Sequence, residues 1–207
     1  FTLGYKFFLI QIQGVVLYQC TNIIISRLSG PEYVTAYNIA YKYLNIALMV
    51  YSIVLTPLWP AFTDAYTRKD FIWMKSIYKK MTRFYIFSAC IVILMIAGSD
   101  IIYKLWIGDR AEVPFSMTLT LGIFILINSW DALQVNLING IGTIKLQTYV
   151  TLIGLIFHIP LSLFIGKYIG AIGVVISMTI IICIYSIFFT IQIKQILTQK
   201  AKGIWIK

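Results

Sequence analysis

The chain has 207 residues, of which 60% are hydrophobic and only 12% charged, with a mean hydropathy of +0.87. That much apolar surface exceeds what a water-soluble domain can bury, which excludes a soluble enzyme or a nucleic-acid-binding domain and indicates an integral membrane protein. The net charge of +10 then bears on topology and not on a nucleic-acid partner, because the basic residues fall between apolar runs.

Six helical spans are predicted, each long enough to cross a bilayer, so the fold class is an all-α membrane protein. The first covers 3–28 and places Gln11, Tyr18, Gln19, Asn22 and Ser26 on one face. The chain begins at Phe1 with neither an initiator Met nor a signal-peptide n-region, so a longer protein is expected.

The second span, 33–62, is the unusual one. At about 100° per residue, Asn38, Lys42, Asn45, Ser52 and Thr56 share a narrow stripe opposite Ile39, Ile46, Leu48 and Val50. A lysine exposed to lipid costs several kcal/mol, so Lys42 is expected to be buried against protein or in a water-filled cavity. Snorkelling toward a headgroup is the other fit. Pro57 and Pro60 then each remove a backbone donor and bend or end the helix.

The basic run TRKDFIWMKSIYKKMTR follows. Asp70 is placed to cap a helix over 70–83, in which Lys75, Lys79 and Arg83 recur every fourth residue. This reads as an amphipathic helix on the membrane surface leading into a third span, 84–107, the most uniformly apolar and lipid-facing of the six. The fourth span, 115–139, carries Asn128 and Asp131 on one face, with Asn139 two turns on, and ends at the turn signal NGIG. The fifth, 144–165, aligns Gln147, Thr151, Gly154, His158 and Ser162. The sixth, 171–192, is aliphatic, with Gly173 and Ser177 small enough for close helix packing.

Twelve basic residues fall on one side of these spans: Lys6, the six between Arg68 and Arg83, Lys145, and the tail residues Lys194, Lys200, Lys202 and Lys207. Four fall on the other, Arg27, Lys104, Arg110 and Lys167; with Lys42 inside a span they account for all 17. The positive-inside rule places both ends of the segment in the cytoplasm.

Spans one, two, four and five are striped, and spans three and six are plain. The striped four are expected to line a common cavity, although single Asn and Gln positions equally suit hydrogen bonds between helices. At 1.5 Å per residue Lys42 lies about 13 Å and Asp131 about 24 Å from the outer ends of their helices, which makes them separate charges. Asp131 and His158 are the candidates for carrying a proton or coupling to a cation.

Catalytic signals are missing from the sequence: there is no G-x-S-x-G, H-E-x-x-H, Walker A or paired carboxylate, and GIGTIK joins two spans, not a strand and a helix. Cys20, Cys90 and Cys183 have no metal or redox spacing. No enzyme activity, metal or cofactor is expected.

The strings TNIIISRLSGPEYVTAYNIAYKY, TPLWPAFTDAYTRKDFIWMKSIYKK and LINGIGTIKLQTYVTLIGLIFHIPLSLFIGKYIGAIGVV resemble the carboxyl-terminal half of bacterial Wzx-type oligosaccharide flippases. These belong to the polysaccharide transport family, in the superfamily of the multidrug and toxic-compound extruders and the lipid II flippases. The resemblance implies one six-helix lobe of a two-lobe transporter in the bacterial inner membrane, with an amino-terminal lobe missing from this chain. It implies a substrate as well: an undecaprenyl-diphosphate-linked oligosaccharide, carried from the cytoplasmic to the periplasmic leaflet for O-antigen, capsule or exopolysaccharide synthesis. Membrane lipids, and a polysaccharide polymerase with other glycan-assembly proteins, are the remaining expected partners.

On this reading Lys42 attracts the diphosphate, while Asn38, Asn45, Gln19, Asn22 and Asn128 meet the sugars in the cavity. Pro57 and Pro60 are the expected hinges as the lobes rock. Two other functions compete. A cation-coupled multidrug extruder predicts an acid-rich cavity. A non-transporting scaffold of a glycan-assembly complex predicts that the basic helix 70–83 binds partners or anionic lipid.

Overall fold

Glycine and proline set where the helices stop. The computed structural model describes residues 2–108 and 111–206, and of these every side chain but those at 2, 3, 6 and 7. Asp109, Arg110, Lys207 and the side chain of Lys6, which enter the topology reading, lie outside the described residues.

Helix α1 (Thr2–Ser29) is parted from α2 (Pro31–Leu55) by Gly30 at φ 98°, a conformation open to glycine, with Pro31 at the first helical position. Thr56 and Pro57 break the next helix, and α3 (Leu58–Thr67) restarts with Pro60 in its first turn, where a missing N–H costs little. Helix α4 (Phe71–Ala97) is capped as expected: the Asp70 carboxylate accepts from the Trp73 N–H at 2.9 Å. A short α5 (Ser99–Trp106) precedes α6 (Phe115–Ile141), which ends on Gly142 at φ 85°. Helices α7 (Lys145–Ile169) and α8 (Ala171–Leu197) complete the bundle before a terminal 3₁₀ turn, Gly203–Trp205. Among the described residues six helices, with α2 and α3 taken together, are long and apolar enough to cross a membrane.

Two expectations change. The surface helix 70–83 and the span 84–107 are not separate elements; one helix runs from Phe71 to Ala97 and a second from Ser99 to Trp106. No glycine or proline interrupts 71–97, and Gly98 is the first breaker reached. The basic turns are anchored as well, since Met74 is fully buried and Trp73 packs on Phe62 of α3 with ring centroids 5.6 Å apart. The second change concerns apolarity: α8 is the most hydrophobic span, and α4 is not. Helix α4 does present Ile86, Phe87, Ile91, Ile93 and Leu94 outward, as a lipid-facing helix should.

Helices α6 and α8 form the centre, with α7 and α1 on one side and α2, α3 and α4 on the other. Small residues let the backbones approach. A Cβ on Gly173 would lie 2.7 Å from the Ile165 carbonyl oxygen, and Ser177 Oγ meets Ser162 Oγ at 2.6 Å, so the packing role read from Gly173 and Ser177 is observed between α8 and α7. At Gly140 a Cβ would lie 2.8 Å from the Trp59 carbonyl oxygen; there α3 crosses α6, and Thr63 Oγ1 donates to the Gly140 carbonyl at 2.6 Å. Further ties join α2 to α4 (Tyr43 hydroxyl to the Met95 carbonyl, 3.1 Å) and α6 to α8 (Trp130 Nε1 to Thr190 Oγ1, 2.9 Å). Such bonds contribute on average about 0.6 kcal/mol each inside a bilayer, so close packing carries most of the stability.

Candidate functional site: a polar cavity around Asp131

Helix α6 is buried on nearly all sides, and its polar residues therefore have to be met by neighbouring helices. Asp131, 7% exposed, projects between α1, α7 and α8. It lies in a cavity of about 290 Å³. The polar lining comes from Gln11, Gln13 and Tyr18 of α1, Asn128 and Asn139 of α6, Gln147 and Thr151 of α7, and Tyr185 of α8. Apolar wall is added by Ile182 and Phe189 of α8, Trp59 of α3, and residues of α1 and α6 such as Leu17 and Val135.

Three of these helices meet at the Tyr185 hydroxyl. It accepts from Gln13 Nε2 and donates to the Thr151 carbonyl, both at 3.3 Å. The ring reaches that position because Gly154 on α7 has no side chain to obstruct it. On the other side, Asn128 Nδ2 donates to the Tyr18 hydroxyl at 3.4 Å, and Ser186 Oγ donates to Asp131 Oδ1 at 3.4 Å. The buried oxygens Asn139 Oδ1 and Gln147 Oε1 have no hydrogen-bond partner among the described residues. No described lining residue is Lys, Arg or His. The cavity is thus rich in acceptors and suited to a donor or a small cation.

A family model, MatE, matches residues 8–164, more than half of the chain. The chain belongs to the MatE family. No curated protein and no solved structure matches it. MatE proteins are membrane transporters of the MOP superfamily, not enzymes, and the six-span all-helical fold agrees with that assignment.

The MatE fold of this chain separates residues that the sequence reading had joined. Asp131 and Asn128 line the cavity, as do Gln11, Tyr18, Gln147 and Thr151 from the stripes. The stripe of α2 does not. Lys42 is exposed on the surface of this chain, and among the described residues no ion pair links it to Asp131. Gln19 is exposed and Asn45 half-buried. Asn38 Nδ2 donates to Asn22 Oδ1 at 2.9 Å and to the Val34 carbonyl at 2.8 Å, which joins α2 to α1. None of these five lines the Asp131 cavity. The MatE chain therefore has a partly open polar cavity and, separately, a polar face on α1 and α2.

His158 also lies elsewhere. It is 1% exposed, its Nδ1 is 3.4 Å from Ser162 Oγ on the same helix, and its ring meets the Leu17 backbone of α1. That is the seam between α7 and α1, outside the cavity lining. Pro57 and Pro60 are exposed at the break between α2 and α3. The sequence reading missed Gln13 and Tyr185. Gln13 falls off the polar stripe of α1, and Tyr185 sits in an aliphatic helix; the small Gly154 opposite it was the only trace.

Proposed function

We propose that the protein is the carboxyl-terminal lobe of a two-lobe carrier that flips undecaprenyl-diphosphate-linked oligosaccharide units across the bacterial inner membrane. The observation that carries this reading is the open face of α1 and α2. It presents Lys42 with the amides of Gln19 and Asn45 and the bonded pair Asn22–Asn38. The only acid on either helix is Glu32, in the first turn of α2. A face with a base, several amides and no carboxylate beyond the helix start suits an anionic, hydroxyl-rich substrate. The prenyl tail can remain in lipid. Asp131, enclosed behind this face, is the group that couples transport to a proton or cation, and Pro57 and Pro60 allow the α2–α3 joint to bend.

The Asp131 cavity also favours the second reading, a cation-coupled extruder, and the assay has to separate the two. In the full-length protein, Lys42→Ala is expected to lower surface polysaccharide severalfold and Lys42→Glu to abolish it, because the latter repels the diphosphate. Drug susceptibility should stay unchanged in both variants. Polysaccharide export untouched by Lys42→Glu removes the lysine from the mechanism; altered drug resistance with normal glycan export favours the extruder.

In this reading the end of the bundle that carries Lys75 is cytoplasmic. Reporter fusions after Lys75 and in the loop at Asp109 are expected to show opposite compartments. A periplasmic Lys75 overturns the orientation.

A further inference from the structure

Where α3 and α8 finish, two helix ends face one another across a cleft of about 360 Å³. Its walls include Tyr66, Lys69, Phe71, Ile196, Gln199 and Ile206. Both helices stop in the same way. The Lys69 N–H donates to the Tyr66 carbonyl at 3.0 Å and the Asp70 N–H reaches back to Ala65 at 2.9 Å; the Gln199 N–H donates to Ile196 and the Lys200 N–H to Gln195, each at 2.9 Å. This closure puts the residue after the helix in the left-handed region, where glycine is the usual occupant because any Cβ is penalised.

Here the occupants are Lys69 at φ 59° and Gln199 at φ 61°. They are the only non-glycine residues with positive φ among those described, and both line this one cleft. Strained backbone kept twice at one place points to side chains used there.

The surrounding charge indicates the ligand. Asp64 is paired with Arg68 at 3.0 Å, and Asp70 is engaged by the Trp73 N–H, so both nearby acids are occupied. Lys69 has no acid partner among the described residues, and Lys200 and Lys202 follow Gln199 closely in the chain. The floor is apolar: the Tyr66 and Phe71 rings meet edge to face at 6.2 Å, with Ile196 and Ile206 beside the same cleft. The cleft also lies beside the ends of α3 and α8 and the start of α4. A free phosphate would satisfy the cation and leave the apolar floor uncovered.

We propose that this cleft binds one anionic phospholipid. Its phosphate sits on Lys69 and the Gln199 amide, and the start of an acyl chain covers Tyr66, Phe71 and Ile206.

The test measures retention of phosphatidylglycerol against phosphatidylcholine on the full-length protein by native mass spectrometry. The wild type is expected to retain phosphatidylglycerol preferentially. Lys69→Asn keeps the left-handed turn, which Asn tolerates, and removes the charge; it should reduce that preference about fivefold, while Lys69→Arg preserves it. Lys69→Gly should show the same loss of preference with a melting midpoint equal to the wild type or about 2 °C higher. Equal retention of the two lipids by the wild type overturns the proposal, as does an undiminished preference in Lys69→Asn. A lower midpoint for Lys69→Gly also overturns it, since the lysine would then be serving the fold.

Discussion

Asp131→Asn is expected to leave the bundle folded and reduce transport by the full-length protein to background. The Asn side-chain oxygen can still accept from Ser186 Oγ, as Asp131 Oδ1 does at 3.4 Å, and the side-chain volume is unchanged. What disappears is the one acidic group in a cavity that has no described basic lining residue. A carboxylate enclosed without a base is completed by a proton or a small cation, and an amide needs neither. Stability should be equal to the wild type or higher, because replacing an unpaired buried charge with a neutral isostere relieves a desolvation cost. Export of surface polysaccharide and the thermal midpoint of purified protein together check this. Normal export in a well-folded Asp131→Asn protein ends the coupling role; lost export with lost folding makes Asp131 structural.

The second large effect is at Gly154. A Cβ there would overlap the Tyr185 hydroxyl and lie only 2.5 Å from the ring carbon Cζ. Tyr185 is 3% exposed between packed helices, and Gly154→Ala forces its ring off its bonds to Gln13 and the Thr151 carbonyl and toward the adjoining cavity. Overpacking of this kind costs about 1–3 kcal/mol, and the two bonds add about 0.6 kcal/mol each; the higher helix propensity of Ala returns about 1 kcal/mol. A net loss of about 1–3 kcal/mol is expected, read as a lowered midpoint and a reduced folded yield. The double variant Gly154→Ala with Tyr185→Ala should be less destabilised than the sum of the two single changes, because the collision is then removed. A wild-type midpoint for Gly154→Ala would mean that Tyr185 does not occupy the notch.

Both predictions concern residues whose roles were unequally visible in the sequence. Asp131 stood out because a carboxyl in an apolar run has few uses. Tyr185 did not, because α8 is apolar around its whole circumference and such a helix has no period from which to choose an inward face. Gln13 was hidden for the opposite reason: α1 has polar residues on more than one side, so its stripe did not single out the side that meets α8.

The sequence by itself determined the all-helical membrane class, six candidate spans, the breaks at Pro57 and Gly142 and the Asp70 cap. Each is a local property, fixed by apolar run length, by a missing donor, by a φ open to glycine or by an oxygen within reach of a free N–H. Only the tertiary structure decided that 71–97 is one helix, that Lys42 is exposed, and that Asp131 shares its cavity with Gln13 and Tyr185 and not with the stripe of α2. Helical periodicity fixes the angles among residues of one helix and leaves free which neighbour each face will meet, and that is settled where backbones can approach closely, as at Gly140, Gly154 and Gly173.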